Sequence, residues 1–204
     1  MTHQIDKDID MIKYKSISHI NIVVDDIARA SQFYQQALGA IPIQHFAHFK
    51  NEGFAKSAGF MEEASKVDVC IQFLQIPTEP APLFIELMEY HYPKGVDRRP
   101  CGNTNDIGGV RHVALGVENI DVAFQFLKTI EGVRMISDAV DYKPYTISPI
   151  KADDFIFFDE SLESRAKEKD NVCQIISEIR FFYIQDCYGV QWELEQGHDG
   201  IGSQ

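Results

Sequence analysis

Two histidines and two glutamates stand at matching places in the two halves of this chain. His19 opens "HINIVV" and His112 opens "HVALGV". With His19 laid on His112 and no gap, Ile20, Ile22 and Val24 fall on Val113, Leu115 and Val117, and Asp25-Asp26-Ile27 fall on Glu118-Asn119-Ile120. Ala30 then meets Ala123, Gln32-Phe33 meet Gln125-Phe126, and Gly39 meets Gly132. Late in each half a glutamate lies among apolar residues, Glu86 in "IELME" and Glu193 in "WELEQ". A carboxylate so placed is costly unless it is paired, hydrogen-bonded or bound to a metal. Two neutral imidazoles and two carboxylates are borderline-to-hard donors that suit Zn, Ni, Co, Mn or Fe(II) better than Ca or a thiolate-seeking ion. The expected cofactor is therefore one divalent metal ion. Four protein ligands on a six-coordinate ion leave two positions for water or for a small molecule with adjacent oxygens.

The elements that must position these groups repeat as well. In each copy an apolar strand of period two runs into a short acidic or amide turn able to cap a helix through a side-chain oxygen. The first helix carries Ile27, Ala30, Phe33, Tyr34 and Ala37 at helical spacing and stops at Gly39. The second carries Ile120, Ala123, Phe126, Leu127 and Ile130 and stops at Gly132. Strand patterns follow at 41–49, 67–76 and 82–90 in the first half, and at 133–137, less clearly around 145–158, then at 177–185 and 190–196 in the second. The fold class read from this is α+β, two paired βαβββ modules forming a curved mixed sheet around the metal. Residues 1–15 are an N-terminal extension, 16–98 the first module, 105–197 the second, and 198–204 a tail. The segment 159–174, dense in charge and poor in apolar anchors, reads as an insertion in the second module, a solvated loop or short exposed helix, with a lid as the alternative.

Composition narrows the partners. A chain of 204 residues, 45% hydrophobic and 25% charged, is long enough for a substantial core. Its net charge of −12 offers no basic stripe, which argues against nucleic acid and anionic membrane surfaces. The charged start "MTHQIDKDIDMIKYKS" does not read as a secretory signal or membrane anchor. Cys70, Cys101, Cys173 and Cys187 are widely spaced and form no CxxC pair, which fits reduced thiols in a cytoplasmic protein. His45, His48 and His91 have no counterpart under the repeat, and His3 and His198 fall in the terminal segments. His91, which follows Tyr90 at the end of the Glu86 strand, could line the pocket. Arg98 and Arg99, in "YPKGVDRRP" with Lys94, could bind a substrate carboxylate or phosphate.

Taken together, "SHINIVVDDIARASQFYQQALGA", "LFIELMEY", "GGVRHVALGVENIDVAFQFL" and "YGVQWELEQ" resemble the vicinal oxygen chelate superfamily. That group contains glyoxalase I, methylmalonyl-CoA epimerase, extradiol dioxygenases and bleomycin or fosfomycin resistance proteins. The resemblance implies a metal held by His19, Glu86, His112 and Glu193, a small-molecule substrate with adjacent oxygens, and a homodimer. It further implies a metal-dependent lyase or isomerase of the glyoxalase I type. There a carboxylate at the metal's edge, Glu193 or else Glu86, takes the proton alpha to a carbonyl as an enediolate forms. The alternatives within the superfamily are a methylmalonyl-CoA-epimerase-like enzyme, an extradiol ring-cleaving dioxygenase, and a non-catalytic resistance protein that binds a small molecule. Ring cleavage uses two histidines and one glutamate, which would leave Glu86 surplus.

Overall fold

The computed structural model describes residues 17–97, 110–147, 150–157 and 159–197. By contact the chain divides into two compact units, one of Met1–Ile27 with Ala40–Tyr92 and one of Ala28–Gly39 with Pro93–Gln204. From Ala28 onward, the helix that the repeat assigns to the first module therefore packs within the second unit.

In the first unit β1 (Ile20–Val23), β2 (Ile41–Phe49), β3 (Asp68–Ile76) and β4 (Leu83–Tyr92) form a sheet of order β1-β4-β3-β2. β1 and β4 are parallel, and the remaining pairs are antiparallel. Helix α2 (Glu52–Ser57) and a short turn of helix at Ala64–Lys66 lie between β2 and β3. They contribute Ala55 and Ala64 to a core with Val67, Val69, Ile71 and Met88, against which Phe46, Phe49, Phe54 and Phe60 pack. Leu74, Ile85 and Leu87, on the other face by strand alternation, are fully buried.

The second unit repeats the plan. β5 (Val113–Gly116) runs parallel to β9 (Gln191–Gln196), which pairs antiparallel with β8 (Arg180–Gln185). Two short strands, β6 (Arg134–Met135) and β7 (Tyr145–Thr146), both pair with β8, so together they occupy the place that β2 holds in the first sheet. The sequence pattern at 133–137 thus shrinks to two residues, and the unclear stretch at 145–158 contains only β7 and a turn of helix at Ala152–Asp154. Trp192, Leu194, Phe182 and Ile184 are buried on one face of this sheet. Phe124 of α3 (Ile120–Leu127) meets Phe182 edge-on at 5.1 Å, and Tyr34 of α1 (Ile27–Leu38) meets Trp192 at 6.3 Å.

Both helices begin where the sequence places them, and α1 also ends there. Gly39 and Gly132 take φ values of +63 and +89, the left-handed region that favours glycine. α3 ends one turn early, however, and its buried stripe is Ile120, Phe124 and Leu127, while Phe126 is half exposed. The aligned letters point to Phe126 because Phe33 is buried in the first copy. With both residues apolar, spacing alone does not separate them. The Asn119 side chain accepts from Val122 N–H, the amide cap read from the sequence. The first helical N–H, in contrast, is capped from the last strand in both copies: Ile27 N–H donates to Glu89, and Ile120 N–H donates to Gln196, each at 3.0 Å.

The insertion folds as two exposed helices, α4 (Glu160–Glu163) and α5 (Ala166–Ile176), neither of which contains a fully buried residue. Its anchor is Lys169, 11% exposed, whose ammonium bonds Glu163 at 2.5 Å and the Ala152 and Phe155 carbonyls at 2.9 and 3.0 Å. The terminal segments 1–15 and 198–204 lie outside the described residues, as do Cys101, Arg98 and Arg99. Among the described residues, no helix is long and apolar enough to cross a membrane.

Candidate metal centre

Each unit brings one of the expected histidines onto the expected glutamate. In the first unit His19, just ahead of β1, reaches Glu86 on the neighbouring β4, with Nε2 3.2 Å from Oε2. The parallel register places Asn21 directly beside Glu86, and its amide donates to Oε2 at 2.9 Å. Ser18 Oγ lies 3.1 Å from His19 Nδ1, which leaves Nε2 as the nitrogen turned to the carboxylate. Phe73, opposite Glu86 on β3, presents its ring edge to His19 at 6.1 Å. Burial, and then the Glu86 charge, raise the Tyr90 phenol above its usual range.

In the second unit His112 reaches Glu193 on β9, with Nε2 3.0 Å from Oε2. Ala114 takes the place beside Glu193 that Asn21 has beside Glu86. Opposite Glu193 on β8 is Tyr183, whose ring lies 5.3 Å from that of His112. Burial first, then the charge and side-chain hydrogen bond of Glu193, push the Tyr183 phenol up to about 12. Tyr183 therefore stays protonated near neutrality and donates to the carboxylate. Both glutamates are largely shielded, with side chains 15% and 13% exposed, while the histidines remain open to solvent at 36% and 39%.

Within each pair the spacing is that of two neighbouring ligands on one ion. Donors about 2.1 Å from an octahedrally held cation stand about 3 Å apart, and the imidazole–carboxylate separations within the pairs are 3.2 and 3.0 Å. Each carboxylate also has a neutral donor behind it, as metal-binding carboxylates generally do. Asn21 and Tyr183 were not singled out by sequence reasoning. A signal for Asn21 existed, since an amide inside the apolar run "HINIVV" needs a partner. Tyr183 becomes visible only once the β8–β9 register is known.

His91 does not stand with His19 and Glu86. Its Nδ1 lies 3.6 Å from Asp68 Oδ2, and His48 Nδ1 lies 3.0 Å from the same oxygen. The turn between β8 and β9 carries a further buried acid. Asp186 accepts from Tyr34 Oη–H at 2.7 Å, Trp192 Nε1–H at 3.0 Å, and the Tyr188 and Val190 amides at 2.9 Å each. These bonds fasten α1 to the hairpin whose second strand bears Glu193.

Comparison with known proteins adds the following. Residues 16–147 match the family described as the Glyoxalase/Bleomycin resistance protein/Dioxygenase superfamily. A curated relative, a 2-epi-5-epi-valiolone epimerase from an Actinomyces species, is 27% identical over 146 residues, covering 70% of this chain and 72% of that protein. A crystal structure of a glyoxalase family protein from Bacillus cereus superposes with a TM-score of 0.60 at 18% identity, covering 92% of this chain and 97% of the other. A fosfomycin resistance protein from Listeria monocytogenes, solved with Mn(II) and sulfate, gives a TM-score of 0.45 at 19% identity, covering 92% and 96%.

Proposed function

Since the chain belongs to the Glyoxalase/Bleomycin resistance protein/Dioxygenase superfamily, we propose that it is a metal-dependent enzyme that moves a proton on the carbon next to a carbonyl, acting as an epimerase or isomerase on a small, oxygen-rich substrate. The observation that supports this reading is the recurrence of one His–Glu pair per half, at 3.2 Å for His19–Glu86 and 3.0 Å for His112–Glu193. In this reading His19, Glu86, His112 and Glu193 hold one divalent ion, which supplies Lewis acidity toward the substrate's adjacent oxygens.

The residues themselves perform the proton transfer. Glu193 is the base that takes the alpha proton, with Tyr183 orienting its carboxylate and with β8 and β9 shielding it from water. Glu86, clamped by Asn21, is the second carboxylate able to return a proton. An epimerase removes and restores a proton at one stereocentre, and the relative named as an epimerase of a valiolone favours that outcome. Isomerisation of the glyoxalase I type begins with the same proton removal, and the His/Glu/His/Glu set favours it as the second reading.

The test is exchange of the alpha proton in D2O, followed by NMR, using metal-loaded protein with cyclitol ketones, hemithioacetals and CoA thioesters. Exchange is expected with one class and should fall at least about a hundredfold in Glu193→Gln. Absence of exchange across the panel, or oxygen uptake with catechols under Fe(II), would overturn the proposal.

A further inference from the structure

We propose that His48, Asp68 and His91 form a second binding site for a divalent transition ion such as Zn(II), on the face of the first sheet opposite Glu86. The three side chains come from three adjacent strands, and one donor atom from each lies within 4.8 Å of the others. His48 Nδ1 stands 3.1 and 3.0 Å from the two Asp68 carboxylate oxygens, and His91 Nδ1 stands 3.6 Å from Oδ2. Donors held about 2.05 Å from a tetrahedral zinc are about 3.3 Å apart, which lies between these separations. The face follows from alternation: Glu86 pairs with Phe73 on β3, and Asp68 has the opposite parity to Phe73 along the same strand.

Two irregularities in the sheet lie at this cluster. Phe46 pairs with Ile71 and Phe49 with Val69, so β2 carries one residue more than β3 across the stretch that contains His48. Asp68 pairs with Tyr92 and Val69 with Tyr90, which makes His91 the extra residue of β4. A β-bulge re-aims a side chain at the cost of ladder pairing and is enriched beside functional sites. Here two bulges flank one buried aspartate and each carries a histidine.

A further sign of a missing partner is that the His91 Nδ1 atom is buried yet has no hydrogen-bond partner among the described residues. A cation bound between the two rings and the Asp68 carboxylate would satisfy it. The positive charge now at that position is the Lys50 ammonium, 3.4 Å from Asp68 Oδ2 on a side chain that is 63% exposed and free to swing away. Two imidazoles and one carboxylate select a borderline ion over Ca or Mg. The exposed His48 side leaves coordination open to water.

The site is tested on the full chain carrying His19→Ala and His112→Ala, so that the outcome does not depend on the proposed function. After chelator treatment, Zn(II) is titrated calorimetrically and Co(II) is followed by its visible absorption. This parent should bind one Zn(II) per chain, and adding His48→Ala or His91→Gln should weaken binding at least about tenfold. His48, 66% exposed, can be replaced without disturbing the core, and circular dichroism checks that the variant is folded. Lys50→Met should tighten binding, because it removes the competing ammonium, whereas a merely hydrogen-bonded cluster would show no such gain. A parent that binds no Zn(II), or a His48→Ala variant within about twofold of the parent, would overturn the proposal.

Discussion

The Asp186→Asn substitution puts a number on how firmly helix α1 is fastened to the hairpin bearing Glu193. Each Asp186 oxygen serves two donors: Oδ1 accepts from the Tyr188 and Val190 amides, and Oδ2 from the Tyr34 hydroxyl and the Trp192 indole. Asparagine keeps one acceptor oxygen and replaces the other with an amide that is itself a donor, so two buried donors lose their acceptor whichever way it turns. At about 1–3 kcal/mol for each such group, partly offset by removing a buried charge, the expected loss is about 2–4 kcal/mol. For a protein of this size that corresponds to a melting temperature lower by about 5–15 °C. The loss also depends on pH. Burial raises the Asp186 carboxyl above its ordinary range, and the hydrogen bonds from Trp192, Tyr34, Val190 and Tyr188 only partly pull it back. A carboxyl whose folded-state pKa is raised contributes stability that is fully present below its unfolded pKa and is lost as the pH rises through its folded value. Asparagine does not titrate, so the deficit of the variant should widen as the pH falls through the acid range. Scanning calorimetry at several pH values measures both effects. A melting temperature within about 1 °C of the parent, or a deficit that narrows toward acid, would refute the reasoning.

Other expectations follow from single contacts. Tyr183→Phe should leave the fold intact while lowering metal retention or turnover about tenfold to a hundredfold, read by metal analysis and by alpha-proton exchange. Asn21→Ala should loosen Glu86 and show the same kind of loss on the other carboxylate, measured by the same pair of assays. Lys169→Met should release the insertion from its anchor, so that limited proteolysis cuts within 159–177 faster than in the parent. In Gly132→Ala the new Cβ would sit 3.3 Å from the Phe33 ring and 3.4 Å from Cys187 at a φ of +89, and a destabilisation of about 1–2 kcal/mol should appear in urea titration.

The repeat made the four residues legible before any coordinates. Period-two strands and one ungapped alignment single out one histidine and one glutamate in each half, and the parallel pairing of the first and last strands is what brings His19 to Glu86 and His112 to Glu193. What stayed hidden was whatever depended on register or on irregularity. The regular β3–β4 register already sets His91 across from Asp68, but His48 falls on the other face of β2 until the bulge between Phe46 and Phe49 is known, and nothing local in "HFAHF" announces it. The caps that Glu89 and Gln196 give to Ile27 and Ile120 join residues far apart in sequence, although Glu89 and Gln196 each follow the site glutamate by three positions. The final turn reads in sequence as a simple connection, yet Asp186 within it gathers four donors. Its partners Tyr34 and Trp192 look like ordinary core aromatics until the hydroxyl and indole N–H must find acceptors.

The differences between the two halves bear on which carboxylate is proposed as the base. The backbone plan is duplicated, but the immediate neighbours of the glutamates are not: Asn21 and Phe73 flank Glu86, whereas Ala114 and Tyr183 flank Glu193. The Asn21 side-chain amide donates to the Glu86 carboxylate at 2.9 Å and to the Glu86 backbone carbonyl at 3.3 Å, and so holds the carboxylate in one orientation. Tyr183 holds Glu193 by a single hydroxyl that can donate or accept as the carboxylate gains or loses a proton. A carboxylate that takes the alpha proton is better served by the second arrangement, whose hydroxyl can follow the change in charge, than by the first. This contrast, rather than any difference in shielding from solvent, is the physical reason for proposing Glu193 as the base.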